Sequence, residues 1–419
     1  MLQQLRHRLQ RLVGSASPAE PTDTGLVLGG GGARAAYQAG VLAYVADAFP
    51  EAHFSIMTGV SAGAINAAQL AGRRGSLAEA AERLAAHWRD VTADRVYEPE
   101  PGLRLLWAFL RGRIDGGGAP DDDGDSSNAP PEDAPRGLVD TAPLRRFLAE
   151  RLQAAPNGGE LTGIADNLRA GRLKAAALTA TDYATGQSVS FVEGRNFDDW
   201  ERPNRVSRRT RLTVDHVMAS AALPIVFPAI ELDDGRWYGD GGIRLAAPLA
   251  PAVHLGADRL MVISTRYDRS EEEAADPAVE GYPPPAQIIG ALMNAVFLDA
   301  LDQDTLTLQR VNRLIRELPE GRRHGMRPVD LLVLRPSVDL GRLASDYEAN
   351  LPLSLRVMTR GLGTDQTRSP DALSMLLFEP GYVERLLDIG RRDAERRHDR
   401  IAAFLEGASA PEPQAHGSC

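Results

Sequence analysis

Short apolar runs alternate with longer stretches of helical periodicity through the first two thirds of the chain. The apolar runs predict buried strands at residues 25–28, 54–57, 174–181, 187–192, 236–238 and 259–264. The helical stretches cover residues 33–48, 62–71, 76–112, 143–152 and 214–220. Strands that alternate with helices favour an α/β fold, in which a three-layer, doubly wound, mostly parallel sheet carries helices on both faces.

The pattern changes beyond residue 268. An acidic, proline-rich stretch at 271–285 leads into a helical run at 286–318, a strand at 330–334 and a charged helical run at 371–406. We therefore expect an α/β domain at 23–268, followed by a largely helical C-terminal extension at 269–406 that packs on the same domain. Residues 1–22 are expected to form a basic segment with a linker, and residues 407–419 a disordered tail.

Charge is distributed unevenly along the 419 residues. The net charge is −10, but residues 115–135 carry seven acids and no base. The segment 115–136 is rich in Gly, Pro, Asp and Ser, so it is predicted to be a disordered insertion. The rest of the chain is close to neutral, which argues against nucleic acid as a partner.

Other features of composition bear on the compartment. The only cysteine is Cys419, so an intrachain disulfide and a cysteine-based metal site are excluded. The N-terminus has no apolar core of a secretory signal, and no apolar stretch is long enough to span a bilayer. The sequence favours a cytoplasmic protein, and peripheral association with a membrane surface stays an open alternative.

A G-x-S-x-G motif at Gly59, Ser61 and Gly63 lies between a predicted strand and an alanine-rich helix. This is the context of a nucleophile elbow, in which glycines permit a sharp turn and the serine stands at a helix N-terminus. Ser61 is therefore the candidate nucleophile. A chance match in a glycine-rich chain is the competing interpretation, and the strand–helix context argues against it.

A serine hydroxyl needs a base, and the chain offers two kinds of candidate. Asp240 stands in a D-G-G motif, where the neighbouring glycines allow a close backbone approach. A histidine base in the order Ser, Asp, His would have to be His254 or His324, the histidines beyond Asp240 in regular-looking sequence. His254 lies at the predicted end of a helix, where packing or capping is the commoner role.

Four consecutive glycines, Gly29 to Gly32, follow the first strand and precede a helix. One interpretation is a dinucleotide-binding loop, with Glu51 as ribose ligand. The other is an oxyanion hole, in which backbone amides of adjacent glycines meet the negative oxygen of a tetrahedral intermediate. Arg34, just after the loop, either anchors it or binds an anionic head group.

These three motifs, G-G-G-x-R, G-x-S-x-G and D-G-G in that order, resemble those of the patatin-like phospholipase family over residues 25 to about 265. One departure is Ala35, where the family usually has glycine. The resemblance implies a Ser61–Asp240 dyad that cleaves carboxylic esters of glycerolipids or phospholipids. It also implies an oxyanion hole, formed by the amides of Gly30, Gly31, Gly32 and Ala62, and no metal or other cofactor.

Three other functions stay open at this level. The same dyad could transfer the acyl group to an alcohol instead of water, as an acyltransferase or transacylase does. The glycine loop alone is compatible with a nucleotide-binding oxidoreductase, and a chain without activity would be a lipid-binding module. For a lipid substrate, the expected surface contacts are the arginine-rich stretch 195–211 and the basic N-terminal segment.

Overall fold

The computed structural model describes residues 22–99, 136–276, 279, 281–351 and 370–407. The predictions for the N-terminal segment, the acidic insertion and the C-terminal tail therefore lie outside the described residues, apart from one residue at the border of each. Within those ranges the strands are β1 Thr24–Leu28, β2 Ile56–Val60, β3 Glu98–Pro99, β4 Val139–Asp140, β5 Ala175–Asp182, β6 Ser188–Gly194, β7 Glu201–Arg202, β8 Arg205–Arg209, β9 Ile230–Glu231, β10 Trp237–Asp240, β11 Arg259–Ile263 and β12 Asp330–Leu334.

The α-helices of the described ranges differ widely in length, from four residues to nineteen. They are α1 Ala36–Ala48, α2 Ala62–Ala71, α3 Leu77–Asp90, α4 Ala93–Val96, α5 Ala142–Arg151, α6 Thr162–Arg169, α7 Val214–Ser220, α8 Ala250–His254, α9 Glu271–Ala275, α10 Pro285–Phe297, α11 Asp299–Glu317, α12 Leu340–Ser345, α13 Asp371–Leu376, α14 Pro380–Arg396 and α15 His398–Glu406.

One large mixed sheet organises the fold. Its strand order is β12-β11-β1-β2-β5-β6-β8-β7, and β10 pairs with both β5 and β9. The five strands from β12 to β5 are parallel to one another, while β6 and β10 run antiparallel to β5. The expected mostly parallel α/β sheet is confirmed.

Both faces of the sheet are covered by apolar residues, because successive side chains of each strand point to opposite sides. In β1, Leu26 and Leu28 join a cluster with helices α1 to α3, whereas Val27 joins a second cluster with α8 and α11. Nearly continuous burial of the central strands follows from this three-layer arrangement.

The segment after residue 268 packs closely on the first part of the chain. β12 extends the sheet by pairing with β11, and α14 lies across α1. A Cβ at Gly40 would meet the carbonyl oxygen of Leu387 at 2.0 Å, and one at Gly390 would meet that of Tyr37 at 2.2 Å. The two helices approach so closely only because glycines stand at the crossing.

Several element boundaries differ from the sequence pattern. The helical run at 286–318 is two helices that meet at Leu298, and the run at 371–406 is three helices, interrupted after Leu376 and at Arg397. The arginine-rich stretch contains the strands β7 and β8, which the sequence did not predict. Charged residues at a sheet edge give no apolar alternation to recognise.

Candidate active site

Ser61 stands on a strained turn between β2 and α2. Its backbone dihedrals are φ 56° and ψ −134°, a conformation that non-glycine residues rarely adopt, and it is the N-cap residue of α2. A Cβ at Gly59 would lie 2.4 Å from the carbonyl oxygen of Gly63, and one at Gly63 would lie 2.3 Å from that of Leu28. The two glycines of the motif are therefore required by the close packing of the elbow.

Asp240 reaches the same place from a distant part of the chain. Val60 of β2 pairs with Thr179 of β5, and at the next position along that edge Ala180 pairs with Asp240 of β10. β2 and β10 thus pair with successive parts of β5. β10 begins to pair with β5 at the point where β2 ends and the chain leaves the sheet at Ser61. This register places the carboxylate beside the serine.

The Asp240 side chain is fully buried. Its Oδ1 accepts a hydrogen bond of 2.9 Å from the amide of Gly242, while Oδ2 has no hydrogen-bond partner within the described ranges. Burial raises the pKa of Asp240 to about 7, although the nearby Ser61 hydroxyl and the Gly242 amide favour the charged form. A carboxylate with this pKa is a stronger base than an exposed one and is still substantially ionised near neutral pH.

The glycine loop lies against the elbow. Gly31 and Gly32 have φ of 140° and 57°, and a Cβ at Gly30 would lie 3.1 Å from the Cβ of Ser61. In the part of the chain that the structure describes, the amides of Gly30 and Gly31 have no hydrogen-bond acceptor. These amides are free to bind an oxyanion beside the serine.

Residues outside the sequence motifs orient this loop. The Thr265 hydroxyl donates a 2.7 Å hydrogen bond to the carbonyl oxygen of Gly30, and the Gln38 amide donates one of 2.8 Å to that of Gly29. Because a trans peptide directs its C=O and N–H to opposite sides, the Thr265 bond turns the Gly31 amide away from Thr265. Neither residue belongs to a recognisable motif, so sequence reasoning missed both.

The amide of Ser61 itself is already occupied. It donates a 3.1 Å hydrogen bond to the hydroxyl of Ser220, which in turn donates to the carbonyl oxygen of Thr179 at 2.6 Å. The next amide, that of Ala62, is in the first turn of α2 and has no i−4 carbonyl within its helix. Ala62 is therefore the elbow residue whose amide can assist the glycine loop.

An apolar cavity opens at Ser61. Gly31, Gly32 and Ala62 line it together with the serine. Further along, the walls are mostly apolar side chains of α2, α3, α5 and the segment after α7, among them Ile65, Leu84, Phe147, Leu148, Leu223 and Phe227. The cavity is suited to an acyl chain.

The segment after residue 285 contributes to the same site. Phe297, at the end of α10, lines the cavity and packs on Gly242, where a Cβ would lie 2.3 Å from its ring. Met375 of α13 lines the cavity as well, and its carbonyl oxygen occupies the place of a Cβ at Gly32. The C-terminal segment therefore completes the wall around the motif residues.

Arg34 is buried and bonded to that segment. Its Nη2 forms a 2.5 Å ion pair with Asp371, and its Nε donates a 2.7 Å hydrogen bond to Ser374. It is not among the residues that line the cavity. These contacts favour the anchoring role over binding of a substrate head group.

Neither candidate histidine base lies at Ser61. His254 stacks on the Trp200 ring, 4.9 Å between centroids, in the layer on the other face of the sheet. Burial, with Arg205 and Arg202 nearby, lowers its pKa. His324 is exposed in the loop after α11. The geometry therefore favours Asp240 as the base.

The arginine-rich stretch does not form a single face. Arg205 interacts electrostatically with His254 and Asp304 on one side of the sheet, while Arg208 interacts electrostatically with Tyr238 on the other side. Arg209 pairs in register with Val192 and so lies toward the end of the sheet that is opposite to Ser61.

Within the described ranges, no helix is long and apolar enough to cross a membrane, and no group of three or more His, Cys, Asp or Glu side chains is arranged to hold a metal.

Comparison with solved structures gives remote likenesses. VipD from Legionella pneumophila is 12% identical with a TM-score of 0.32, and the match covers 88% of this chain and 67% of VipD. Human GIVD cytosolic phospholipase A2, in complex with methyl gamma-linolenyl fluorophosphonate and terbium chloride, is 14% identical with a TM-score of 0.41. That match covers 97% of this chain and 62% of the human chain, so this chain spans less than two thirds of its length.

Comparison with curated protein sequences gives no significant match. The sequence model of the patatin-like phospholipase family, in contrast, matches residues 26–253, which include the glycine loop, the elbow and the D-G-G motif. Because this match spans more than half of the chain, the protein belongs to the patatin-like phospholipase family.

Proposed function

We propose that this protein hydrolyses carboxylic esters of glycerolipids or phospholipids through a Ser61–Asp240 dyad. The observation that carries the proposal is the register on β5, where Asp240 follows directly after the end of β2 and so stands beside the elbow serine. The pKa of about 7 for Asp240 supports its role as the base.

In the proposed reaction, the Ser61 hydroxyl oxygen attacks the ester carbonyl carbon and gives its proton to Asp240. The negative oxygen that develops is stabilised by amides of the loop Gly30 to Gly32 and of Ala62, at the N-terminus of α2. Collapse of the intermediate breaks the ester bond, and Asp240 returns the proton to the leaving alkoxide. The acyl group stays on Ser61 as an ester.

Water completes the cycle. It gives a proton to Asp240 and attacks the acyl-enzyme carbonyl, and the second tetrahedral intermediate releases the free acid. The serine regains its proton from Asp240. During both steps the acyl chain lies in the apolar cavity, which excludes bulk water from most of its length.

Labelling with a fluorophosphonate and hydrolysis of a panel of lipid classes would test this proposal. We expect the label on Ser61 in a peptide map, and release of free acid from at least one class of glycerolipid or phospholipid. The Ser61→Ala variant should take no label and release no acid. Label on another serine, or acid release that persists in Ser61→Ala, would contradict the proposal. Transfer of the acyl group to an added alcohol in preference to water would replace hydrolysis by transacylation.

A further inference from the structure

Three polar side chains besides Ser61 line the acyl cavity. Gln69 lies two helical turns beyond Ser61 on the same stripe of α2, about 12 Å along the helix axis. His87 of α3 and Arg151 of α5 also line the cavity. On each of these helices the other side chains that face the cavity are mostly apolar, so the three polar side chains stand out against an otherwise apolar wall.

These three side chains have buried polar atoms without partners. Within the described ranges, Nε2 of Gln69, Nδ1 of His87 and Nε of Arg151 are inaccessible to solvent and form no hydrogen bond. Unpaired buried polar atoms are costly, and most proteins leave few of them. Two of the three are hydrogen-bond donors, and His87 can be one, depending on its tautomer. The group that they would bind is therefore an oxygen acceptor.

The cluster does not present a free positive charge. Nη2 of Arg151 forms a 2.7 Å ion pair with Asp90. Burial, and then the neighbouring Arg151, lowers the pKa of His87 to about 4, so the imidazole is neutral near pH 7. Arg83 further lowers this pKa, whereas Asp90 and Glu150 raise it. Donors without net charge suit a neutral oxygen better than a carboxylate.

We propose that Gln69, His87 and Arg151 form a subsite for a neutral oxygen group, a hydroxyl or carbonyl, far along the acyl chain of the substrate. The proposal rests on the proposed function, because it takes the cavity at Ser61 to be the acyl site. It makes the enzyme selective for acyl chains that carry oxygen near the end remote from the ester. An unsubstituted chain would leave the donors of this cluster unpaired.

Binding of free acids to the Ser61→Ala variant tests the subsite without any need for catalysis. Decanoic, ω-hydroxydecanoic, α-hydroxydecanoic and decanedioic acids would compete against a fluorescent fatty acid. We expect ω-hydroxydecanoic acid to bind about tenfold more tightly than decanoic acid, the gain of one or two hydrogen bonds to buried donors. The α-hydroxy acid should show no such gain, because its hydroxyl lies near Ser61. Decanedioic acid should bind more weakly than the ω-hydroxy acid.

Substitutions in the Ser61→Ala background locate the effect. In Gln69→Leu and in His87→Phe, the advantage of the ω-hydroxy acid should fall to within about twofold, while decanoic acid binds as well as before. Ile65→Val, which alters the wall halfway along the cavity, should change the affinity for both acids equally and so serves as the matched control. Thermal unfolding checks that each variant is folded.

Equal affinity for the plain and ω-hydroxy acids, tighter binding of the diacid than of the ω-hydroxy acid, an advantage that survives both substitutions, or no binding of any acid would overturn the subsite. These outcomes are separate from failure of the proposed function, which would appear as ester hydrolysis that does not depend on Ser61.

Discussion

The segment that carries Ser61 and the segment that carries Asp240 are both short and rich in glycine, yet different contacts hold them. The elbow is fixed locally, because Gly59 packs against Gly63 and the strained Ser61 backbone is held between β2 and α2. Asp240 is fixed by strand pairing to β5, some sixty residues earlier in the chain. The position of Ser61 is thus determined by a local turn, and the position of Asp240 is determined by the register of the sheet.

Loss of the nucleophile should have the largest effect on this arrangement. Ser61→Ala is expected to lower kcat/KM on a p-nitrophenyl ester by about a thousandfold or more, because no acyl-enzyme can form. The melting temperature should stay close to that of the wild type, since the serine hydroxyl contributes little to the core. Esterase activity within tenfold of the wild type would show that another residue is the nucleophile.

Asp240→Asn should cost about a hundredfold or more in kcat, because the amide cannot accept the serine proton. The wild-type rate should rise with pH through a midpoint near 7, the pKa of Asp240, and the residual rate of the variant should not. His254→Ala, measured in parallel, shows whether Asp240 or His254 is the base.

Asp240→Asn should also raise the stability of the folded protein at alkaline pH. Asp240 has a folded-state pKa of about 7, whereas an aspartate in the unfolded chain ionises near pH 4. The folded state therefore binds the proton more tightly, and wild-type stability is lost as the pH rises through about 7. Asp240→Asn removes this loss, so its melting temperature should exceed that of the wild type at about pH 8 and match it at about pH 4. The same difference at both pH values would contradict the raised pKa.

Gly241→Ala should disturb the register rather than the chemistry. A Cβ there would lie 2.0 Å from the carbonyl oxygen of Thr179, so β10 must shift along β5 or away from it. We expect a loss of about 2 kcal/mol in the free energy of unfolding and a fall in kcat of about tenfold or more. Gly321→Ala, whose Cβ would meet open space, is the control. Wild-type activity in Gly241→Ala would mean that the position of Asp240 tolerates movement.

Thr265→Val should have a smaller effect, confined to the glycine loop. It removes the hydrogen bond to Gly30 that orients the adjacent amide, a contribution of about 1 kcal/mol, or roughly fivefold in kcat. Thr265→Ser keeps the hydroxyl and should recover most of the activity. If Thr265→Ser lost activity and Thr265→Val did not, packing of the Thr265 methyl rather than its hydroxyl would position the loop.

His254→Ala is expected to change kcat/KM by less than about twofold. The imidazole stacks on Trp200 in the other layer of the molecule, so its loss should lower the melting temperature slightly and leave the reaction intact. A drop comparable to that of Asp240→Asn would instead restore the histidine as a base.

The sequence predicted the local parts of the site and, through the D-G-G motif, Asp240, but it missed the other side chains that long-range contacts bring to the site. The elbow and the glycine loop were predicted because glycine spacing reports backbone conformation directly. No pattern, however, marks Ser220 as the acceptor for the Ser61 amide, or Thr265 as the donor to Gly30, since single buried hydroxyls have no periodicity. The sequence left the role of Arg34 open, because its ion-pair partner, Asp371, lies more than three hundred residues away along the chain.

Because β2 and β10 both pair with β5, the substrate preference of this enzyme can change separately from its catalytic residues. The proposed nucleophile and base are attached to one strand by main-chain hydrogen bonds, whereas the acyl cavity is built from side chains of α2, α3 and α5. Side chains that face the cavity can therefore be exchanged without moving the atoms that break the ester bond. Changes of substrate by mutation, in a laboratory or in evolution, should accumulate on these three helices, and β5 with its two partners should tolerate few.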